Sequence, residues 1–203
     1  KVMGFEHIDY DLEEFHHQNG EREVVSTCKL FTSENVGFVD GYTFLMQKGF
    51  DVDNAILEDP LTQLKMSGLV ASEQYEDMML FDSIIANQDR HLGNWGVLVD
   101  NDTGEFLKVA PIFDNGFSLF YGASNADLQS SHHADYKNSL RCKYLSLDDQ
   151  ARLFVGKRHL PSLRKLLEFR FERHPKYNIA EETLQLMEAF VRERAQITLL
   201  LYK

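Results

Sequence analysis

The sequence predicts an α+β fold with a small β-hairpin near its start and a mostly helical carboxyl half. Two pairs of β-type runs each flank a polar turn, and helical spacing of apolar residues lies between the two pairs. Only helical patterns follow residue 147. A chain of 203 residues is long enough for one large domain or two small ones.

The first pair of runs predicts an antiparallel hairpin over residues 5–31. Its strands are Phe5–Phe15 and Val24–Phe31, which are rich in aromatic and β-branched residues. Asn19 and Gly20 lie between them, and both residue types tolerate the positive φ angles of a tight hairpin turn.

Helical patterns begin after Asp53. The first covers Ala55–Met66, with Pro60 either limiting the helix or shifting its start. Ser72 is a suitable N-cap for a stronger helix that continues to about Ala86. This helix has one broad apolar face, made of Tyr75, Met78, Met79, Phe81, Ile84 and Ile85.

A second hairpin follows, with strands at Trp95–Val99 and Phe106–Ala110. Polar turn residues join these strands. The segment 122–139 is polar and aperiodic and predicts a loop. Three helices are predicted after this loop, at Leu147–Val155, Leu163–Phe171 and about Ala180–Tyr202.

Charge and cysteine content limit the classes of partner and compartment. The chain has 21 Lys+Arg and 32 Asp+Glu residues, a formal net charge of −11. This balance argues against direct nucleic-acid binding and against an anionic bilayer as partner. Cys28 and Cys142 lie in no metal-binding pattern, and we expect free thiols in a reducing cytoplasm. No apolar run is long enough to span a membrane.

A dense group of polar residues lies between the predicted buried helix and the second hairpin. At positions 87–94 the chain reads Asn-Gln-Asp-Arg-His-Leu-Gly-Asn, and Asp114 follows the returning strand. Because the hairpin brings its two ends together, we expect Asp89, Asn94 and Asp114 to converge. Phosphoryl transfer needs carboxylate and amide groups of this kind. A carboxylate must orient the attacking hydroxyl, and hard oxygen ligands must hold Mg²⁺ against the phosphates.

The same segments resemble those of a known group of kinases. The run Asp-Arg-His-Leu-Gly-Asn at 89–94 is similar to the catalytic loop of HipA-like serine/threonine kinases and of the phosphoinositide kinases. Both are atypical branches of the protein-kinase-like fold. The run Ile-Phe-Asp-Asn-Gly at 112–116 resembles their metal-binding segment, and the flanking Trp95-Gly96 and Ala110-Pro111 steps favour the HipA-like side. The resemblance implies that residues 36–203 form a helical carboxyl-terminal lobe of this fold.

The resemblance implies a role for each residue of the group. Asp89 would be the catalytic base or would position the substrate hydroxyl. His91 would act within the catalytic loop, as a structural hydrogen-bonding group or as a helper at the γ-phosphate. Asn94 and Asp114 would hold Mg²⁺, and Arg90 would support the loop through Asp114 or a backbone carbonyl. The implied cofactors are ATP and Mg²⁺, and the implied substrate is a protein.

The resemblance also assigns residues 1–35 to the last strands of an amino-terminal lobe and the hinge. Cys28, Lys29 and Phe31 would lie at the adenine-binding hinge. No Gly-rich phosphate loop precedes the hairpin, and no lysine is assigned to the phosphates. We therefore expect the rest of this lobe upstream of Lys1 or on a separate chain, and weak ATP binding without it. An origin in a bacterial toxin–antitoxin system, with an antitoxin as partner, is a further implication.

Two other functions stay open. One is a lipid or small-molecule kinase, because the pattern Asp-Arg-His-x-x-Asn also marks the phosphoinositide kinases. The acidic balance and the lack of a polybasic stretch count against work at a membrane. The other is a non-catalytic pseudokinase or partner-binding module, which the missing phosphate loop motivates.

Overall fold

The computed structural model describes residues 1–124 and 145–202. In chain order, its strands are β1 (Tyr10–His16), β2 (Arg22–Cys28), β3 (Val36–Asp40), β4 (Gly96–Asp100) and β5 (Phe106–Val109). Its α-helices are α1 (Gly41–Gln47), α2 (Pro60–Val70), α3 (Glu73–Ile85), α4 (Leu147–Phe154), α5 (Leu160–Leu166) and α6 (Glu181–Leu201). Strands β1 and β2 form one antiparallel sheet, and a separate antiparallel sheet has the order β3-β4-β5. The predicted α+β fold is confirmed.

The predicted first hairpin is present, but β1 begins at Tyr10 instead of Phe5. The segment before β1 pairs with a different part of the chain. The N–H of Ile8 donates to the carbonyl of Ile112, and the N–H of Ile112 donates to the carbonyl of Glu6, both at 2.9 Å. The N–H of Ile8 and the carbonyl of Glu6 are therefore already hydrogen-bonded to Ile112. For this reason the pairing of β1 with β2 begins only at Tyr10.

The predicted N-cap of the buried helix is present. The Ser72 hydroxyl accepts a hydrogen bond from the N–H of Gln74, and α3 begins at the next residue after Ser72. In α2, Pro60 occupies the first turn, where proline's missing N–H costs no helical hydrogen bond, and Asp59 is the N-cap. The helix therefore begins five residues after Ala55 and continues to Val70, and the alternative that Pro60 shifts its start is confirmed.

Strand β3 and helix α1 were not predicted. Each is too short to show a periodic pattern, and tertiary contacts define them. Phe38 of β3 pairs with Leu98 of β4, and the Asp40 carboxylate caps α1 by accepting a hydrogen bond from the N–H of Thr43 at 2.9 Å.

Helix α5 starts three residues before the predicted Leu163 and ends at Leu166, not at Phe171. Side chains of α6 bind the backbone that follows. Arg192 donates to the carbonyl of Phe169 at 2.9 Å, and Glu188 accepts from the N–H of Phe171 at 3.0 Å. These tertiary hydrogen bonds replace the helical ones.

Helix α3 lies at the centre of the core. Its Tyr75 ring packs on the Trp95 ring at a centroid distance of 4.8 Å, and Ile84 near its end belongs to a buried cluster with Val191 of α6. The predicted loop at 122–139 lies outside the described residues beyond position 124, as does Cys142. Within the described residues, no helix is both long and apolar enough to cross a membrane.

Candidate active site

The chain between α3 and β4 forms a tight polar loop, named here the 87–94 loop. The Asn87 side-chain oxygen accepts the N–H of Asp89 at 3.0 Å. The carbonyl of Asp89 then accepts the N–H of His91 at 2.8 Å and the Asn94 side-chain Nδ2 at 2.9 Å. The amide of Asn94 therefore folds back onto the residue that begins the predicted catalytic motif.

Arg90 and Asp82 form a buried ion pair beneath this loop. Arg90 Nε lies 2.8 Å from Asp82 Oδ2, and Arg90 Nη2 lies 3.0 Å from Asp82 Oδ1. The two side chains are 1% and 0% exposed. Two parallel hydrogen bonds between a guanidinium and a carboxylate give a strong, directional contact. Asn87 Nδ2 also donates to Asp82 Oδ1 at 3.0 Å, so Asp82 anchors the loop at two points.

The same guanidinium joins the 87–94 loop to the segment 112–116. Arg90 Nη1 donates to the carbonyls of Asn94, at 2.5 Å, and Phe113, at 2.7 Å. Arg90 Nη2 donates to Asn115 Oδ1 at 2.6 Å. Because one nitrogen atom binds both carbonyls, the backbones of Asn94 and Phe113 lie close together. Asp114, the residue after Phe113, is thereby brought to the loop that carries Asp89 and Asn94.

Asp114 lies at a sharp turn of the chain. Its φ angle of 51° is in the left-handed region, which Asp visits more readily than most residues with a side chain. Its N–H donates to the hydroxyl of Tyr10 at 3.2 Å, which ties the turn to β1. The side chain is exposed.

Three side-chain oxygen groups of the candidate site accept no hydrogen bond from the described residues. Among residues 1–124 and 145–202, no donor is hydrogen-bonded to the carboxylates of Asp89 and Asp114 or to Oδ1 of Asn94. The part of the chain that the structure describes contains no group of three or more His, Cys, Asp or Glu side chains suited to a metal ion. The metal ligands expected here are Asn94 and Asp114, and they differ from such a group because Asn94 is an amide.

His91 is half-buried within the loop. Its Nδ1 accepts the N–H of Gly93 at 3.0 Å. Nδ1 therefore carries no proton, and in the neutral ring the proton is on Nε2. This assigns the tautomer of His91 and leaves Nε2 as the nitrogen available to donate.

The predicted hinge residues differ in their relation to this site. Cys28 is an exposed free thiol at the end of β2, and Lys29 is exposed beside it. Phe31 is half-buried and packs on Phe113 at a ring-centroid distance of 5.4 Å. Phe38 contacts both rings. Of the three predicted residues, Phe31 is thus the one in contact with the segment that carries Asp114.

Asp82, Asn87 and Asn115 were given no role from the sequence, yet they hold Arg90 and the loop. The sequence did contain an indication that Asp82 has a buried partner. It lies within the apolar helix 73–85, and a carboxylate on a buried face almost always has a charged or hydrogen-bonding partner.

No protein-family model matches the chain. A solved structure with a kinase fold matches 97% of this chain and 75% of its own, with a TM-score of 0.64 and 18% sequence identity. That structure is the crystal structure of a Helicobacter pylori proinflammatory kinase, CtkA. The chain therefore shares the fold of the matched part of that kinase.

The chain is also similar in sequence to the serine/threonine-protein kinase CtkA of Helicobacter pylori strain J99, with 31% identity over 116 residues. The alignment covers 54% of this chain and 35% of that relative. The chain thus spans about a third of the length of the curated relative that it matches.

Proposed function

We propose that this chain is the catalytic lobe of a HipA-like serine/threonine kinase that uses ATP and Mg²⁺. The observation that carries the proposal is the binding of Arg90 to both the Asn94 and Phe113 carbonyls. It brings together the two segments whose sequences resemble a kinase catalytic loop and metal-binding segment. The similarity to CtkA supports the same class of reaction.

In this proposal, Asn94 Oδ1 and the Asp114 carboxylate hold the metal ion. An amide and a carboxylate oxygen, completed by water and phosphate oxygens, form a ligand set that Mg²⁺ accepts. Bound Mg²⁺ would offset the negative charge of the β- and γ-phosphates. A local cation is needed here because the chain has a formal net charge of −11.

Asp89 orients the attacking hydroxyl of the acceptor in this proposal. Its backbone is fixed by Asn87 and Asn94, while its carboxylate makes no hydrogen bond with the described residues. A base held in this way can accept a proton as the hydroxyl attacks the γ-phosphate. Arg90 contributes by holding the backbone, and His91 by completing the loop. The acceptor is a protein, and an antitoxin or a separate chain that supplies the remaining nucleotide-binding lobe is the proposed partner.

The test measures Mg²⁺-dependent transfer of radiolabelled γ-phosphate from ATP to casein by the product of the complete gene. Asp89→Ala and Asp114→Ala should each reduce the rate by about 100-fold or more. Asp102→Ala, in the exposed turn between β4 and β5, is the matched control and should retain full activity.

Equal rates in the wild type and Asp114→Ala would refute the proposal. Transfer to phosphatidylinositol without transfer to casein would favour the lipid-kinase alternative. Calorimetry that detects no ATP binding at millimolar nucleotide would favour the non-catalytic module.

A further inference from the structure

A cavity of about 310 Å³ lies apart from Asp89, Asn94 and Asp114. It is formed where the first residues of the chain meet α3, the segment after Asp114 and α6. Most of its wall is apolar, and the lining includes Phe5, Phe81, Ile84, Leu119, Phe169 and Val191, with Lys1, His7, Asn115 and Ser118 as the polar residues. An apolar wall of this kind holds water poorly, because bound water needs several polar partners.

The Ser118 hydroxyl is a buried polar group of this wall with no partner among the described residues. Ser118 lines the cavity, and its Oγ is buried and makes no hydrogen bond within the described residues. A buried hydroxyl without a partner is unfavourable, and such groups are uncommon in folded proteins. A ligand group that exchanges a hydrogen bond with Ser118 Oγ would remove this cost.

His7 also lines the cavity, but both of its ring nitrogens face groups of the chain itself. His7 Nδ1 donates to the carbonyl of Phe5 at 2.8 Å, and Nε2 lies 3.4 Å from Asp9 Oδ1. Because Nε2 faces a carboxylate, we do not count it as an acceptor for a ligand. The polar residues of the wall are therefore Lys1, His7, Asn115 and Ser118, and of these Ser118 offers a buried hydroxyl with no partner among the described residues.

We propose that this cavity binds a small uncharged aromatic alcohol. Apolar cavities of about 150 Å³ already hold benzene, so this one has room for a fused two-ring compound. The rings of Phe5, Phe81 and Phe169 in the wall suit a flat aromatic body. A hydroxyl group can exchange a hydrogen bond with Ser118 Oγ, whereas a charged group would lose its hydration on entry.

The site touches the segment that carries Asp114. Asn115 lines the cavity and also accepts the hydrogen bond from Arg90. A bound ligand thus contacts the segment 115–119. The proposal does not rest on the kinase activity and can be tested without it.

The probe is 2-naphthol, and naphthalene is the matched compound without the hydroxyl. Binding to the 203-residue chain is followed by two-dimensional NMR of backbone and side-chain amides. We expect saturable one-to-one binding, with shifts at Ser118, Leu119 and the Asn115 side-chain amide. 2-Naphthol should bind at least about five-fold more tightly than naphthalene, because only the alcohol satisfies the serine.

Two variants test the site. Ser118→Ala, which changes little volume, should abolish the preference for 2-naphthol over naphthalene, while Ser26→Ala on exposed β2 should keep it. Val191→Phe, which fills the cavity, should prevent binding of both compounds. The proposal is overturned if 2-naphthol does not saturate, if its shifts lie away from residues 115–119, or if Ser118→Ala keeps the preference. The Ser118→Ala result stands even if Val191→Phe fails to fold.

Discussion

The guanidinium of Arg90 and the carboxylate of Asp82 form two hydrogen bonds, at 2.8 and 3.0 Å, in a region closed to water. Burying an ion pair has a large desolvation cost, which its own attraction often only offsets. The pair is better explained by what else Arg90 binds. It holds the backbones of Asn94 and Phe113, so the pair positions two segments of the candidate active site relative to each other.

We predict that Arg90→Ala lowers the free energy of unfolding by about 3–5 kcal/mol, because it leaves the Asp82 carboxylate buried without its cation. Urea denaturation measures this change. Arg22→Ala is the control, since Arg22 forms an exposed ion pair with Glu14 and its loss should cost less than about 1 kcal/mol. A similar small cost for both variants would contradict the role given to Arg90.

A second prediction compares Gly41, which packs against the Trp95 ring, with Gly68, which has open space where a Cβ would lie. A Cβ at Gly41 would lie 2.6 Å from Trp95 Cζ2 and 2.8 Å from Trp95 Nε1, whereas a Cβ at Gly68 meets no atom within 4 Å. Gly41→Ala should therefore cost about 1–3 kcal/mol by displacing the indole. Gly68→Ala, within α2, should stabilise the protein by about 0.5–1 kcal/mol. Thermal unfolding should show shifts of opposite sign, and equal signs would contradict the packing described here.

A third prediction concerns pH and the turn between β4 and β5. The pKa of Asp100 is lowered, chiefly because the Thr103 N–H donates to its carboxylate, with further hydrogen bonds from the Thr103 hydroxyl and the Asp102 N–H. Since the folded pKa lies below the unfolded value of about 4, the carboxylate stabilises the turn above that pH. This stabilisation is lost as the pH falls through the folded pKa.

Asp100→Asn should therefore lower the urea midpoint at pH 7, and its difference from the wild type should shrink as the pH falls below 4. Asp102→Asn is the control, because the Asp102 side chain makes no hydrogen bond with the described residues. A difference for Asp100→Asn that is the same at pH 7 and in acid would show that charge is not the cause.

Sequence patterns predicted those parts of the fold that depend on residues close together in the sequence. The Ser72 cap and the two hairpins depend on short-range chemistry, and all are present. In the first hairpin Gly20 has the expected positive φ, of 87°, whereas Asn19 does not, because residues 17–21 form a longer connection than a two-residue Asn-Gly turn. Strand β3 and the true end of α5 depend on distant partners, namely β4 and the α6 side chains Glu188 and Arg192. No local pattern encodes such contacts.

The candidate site shows the same division. The order of Asp89, Asn94 and Asp114 around a hairpin predicts that they converge, because a hairpin brings its ends together. The contacts that join the 87–94 loop to the segment 113–115 could not be recognised in the sequence. Arg90 makes them by binding the Asp82 carboxylate, the carbonyls of residues 94 and 113, and the side chain at position 115. Every residue has a backbone carbonyl, so residue types alone do not show which carbonyls accept such hydrogen bonds.

The most direct test of the metal-binding role of Asn94 and Asp114 uses Mn²⁺ as a paramagnetic substitute for Mg²⁺, with which it shares a preference for oxygen ligands. Added to the isotope-labelled chain, Mn²⁺ should broaden amide signals of residues 91–95 and 113–116, and excess Mg²⁺ should restore them. Asp114→Asn should abolish the broadening, while Asp102→Asn should not. Broadening that persists in Asp114→Asn, or that spares both segments, would contradict the account.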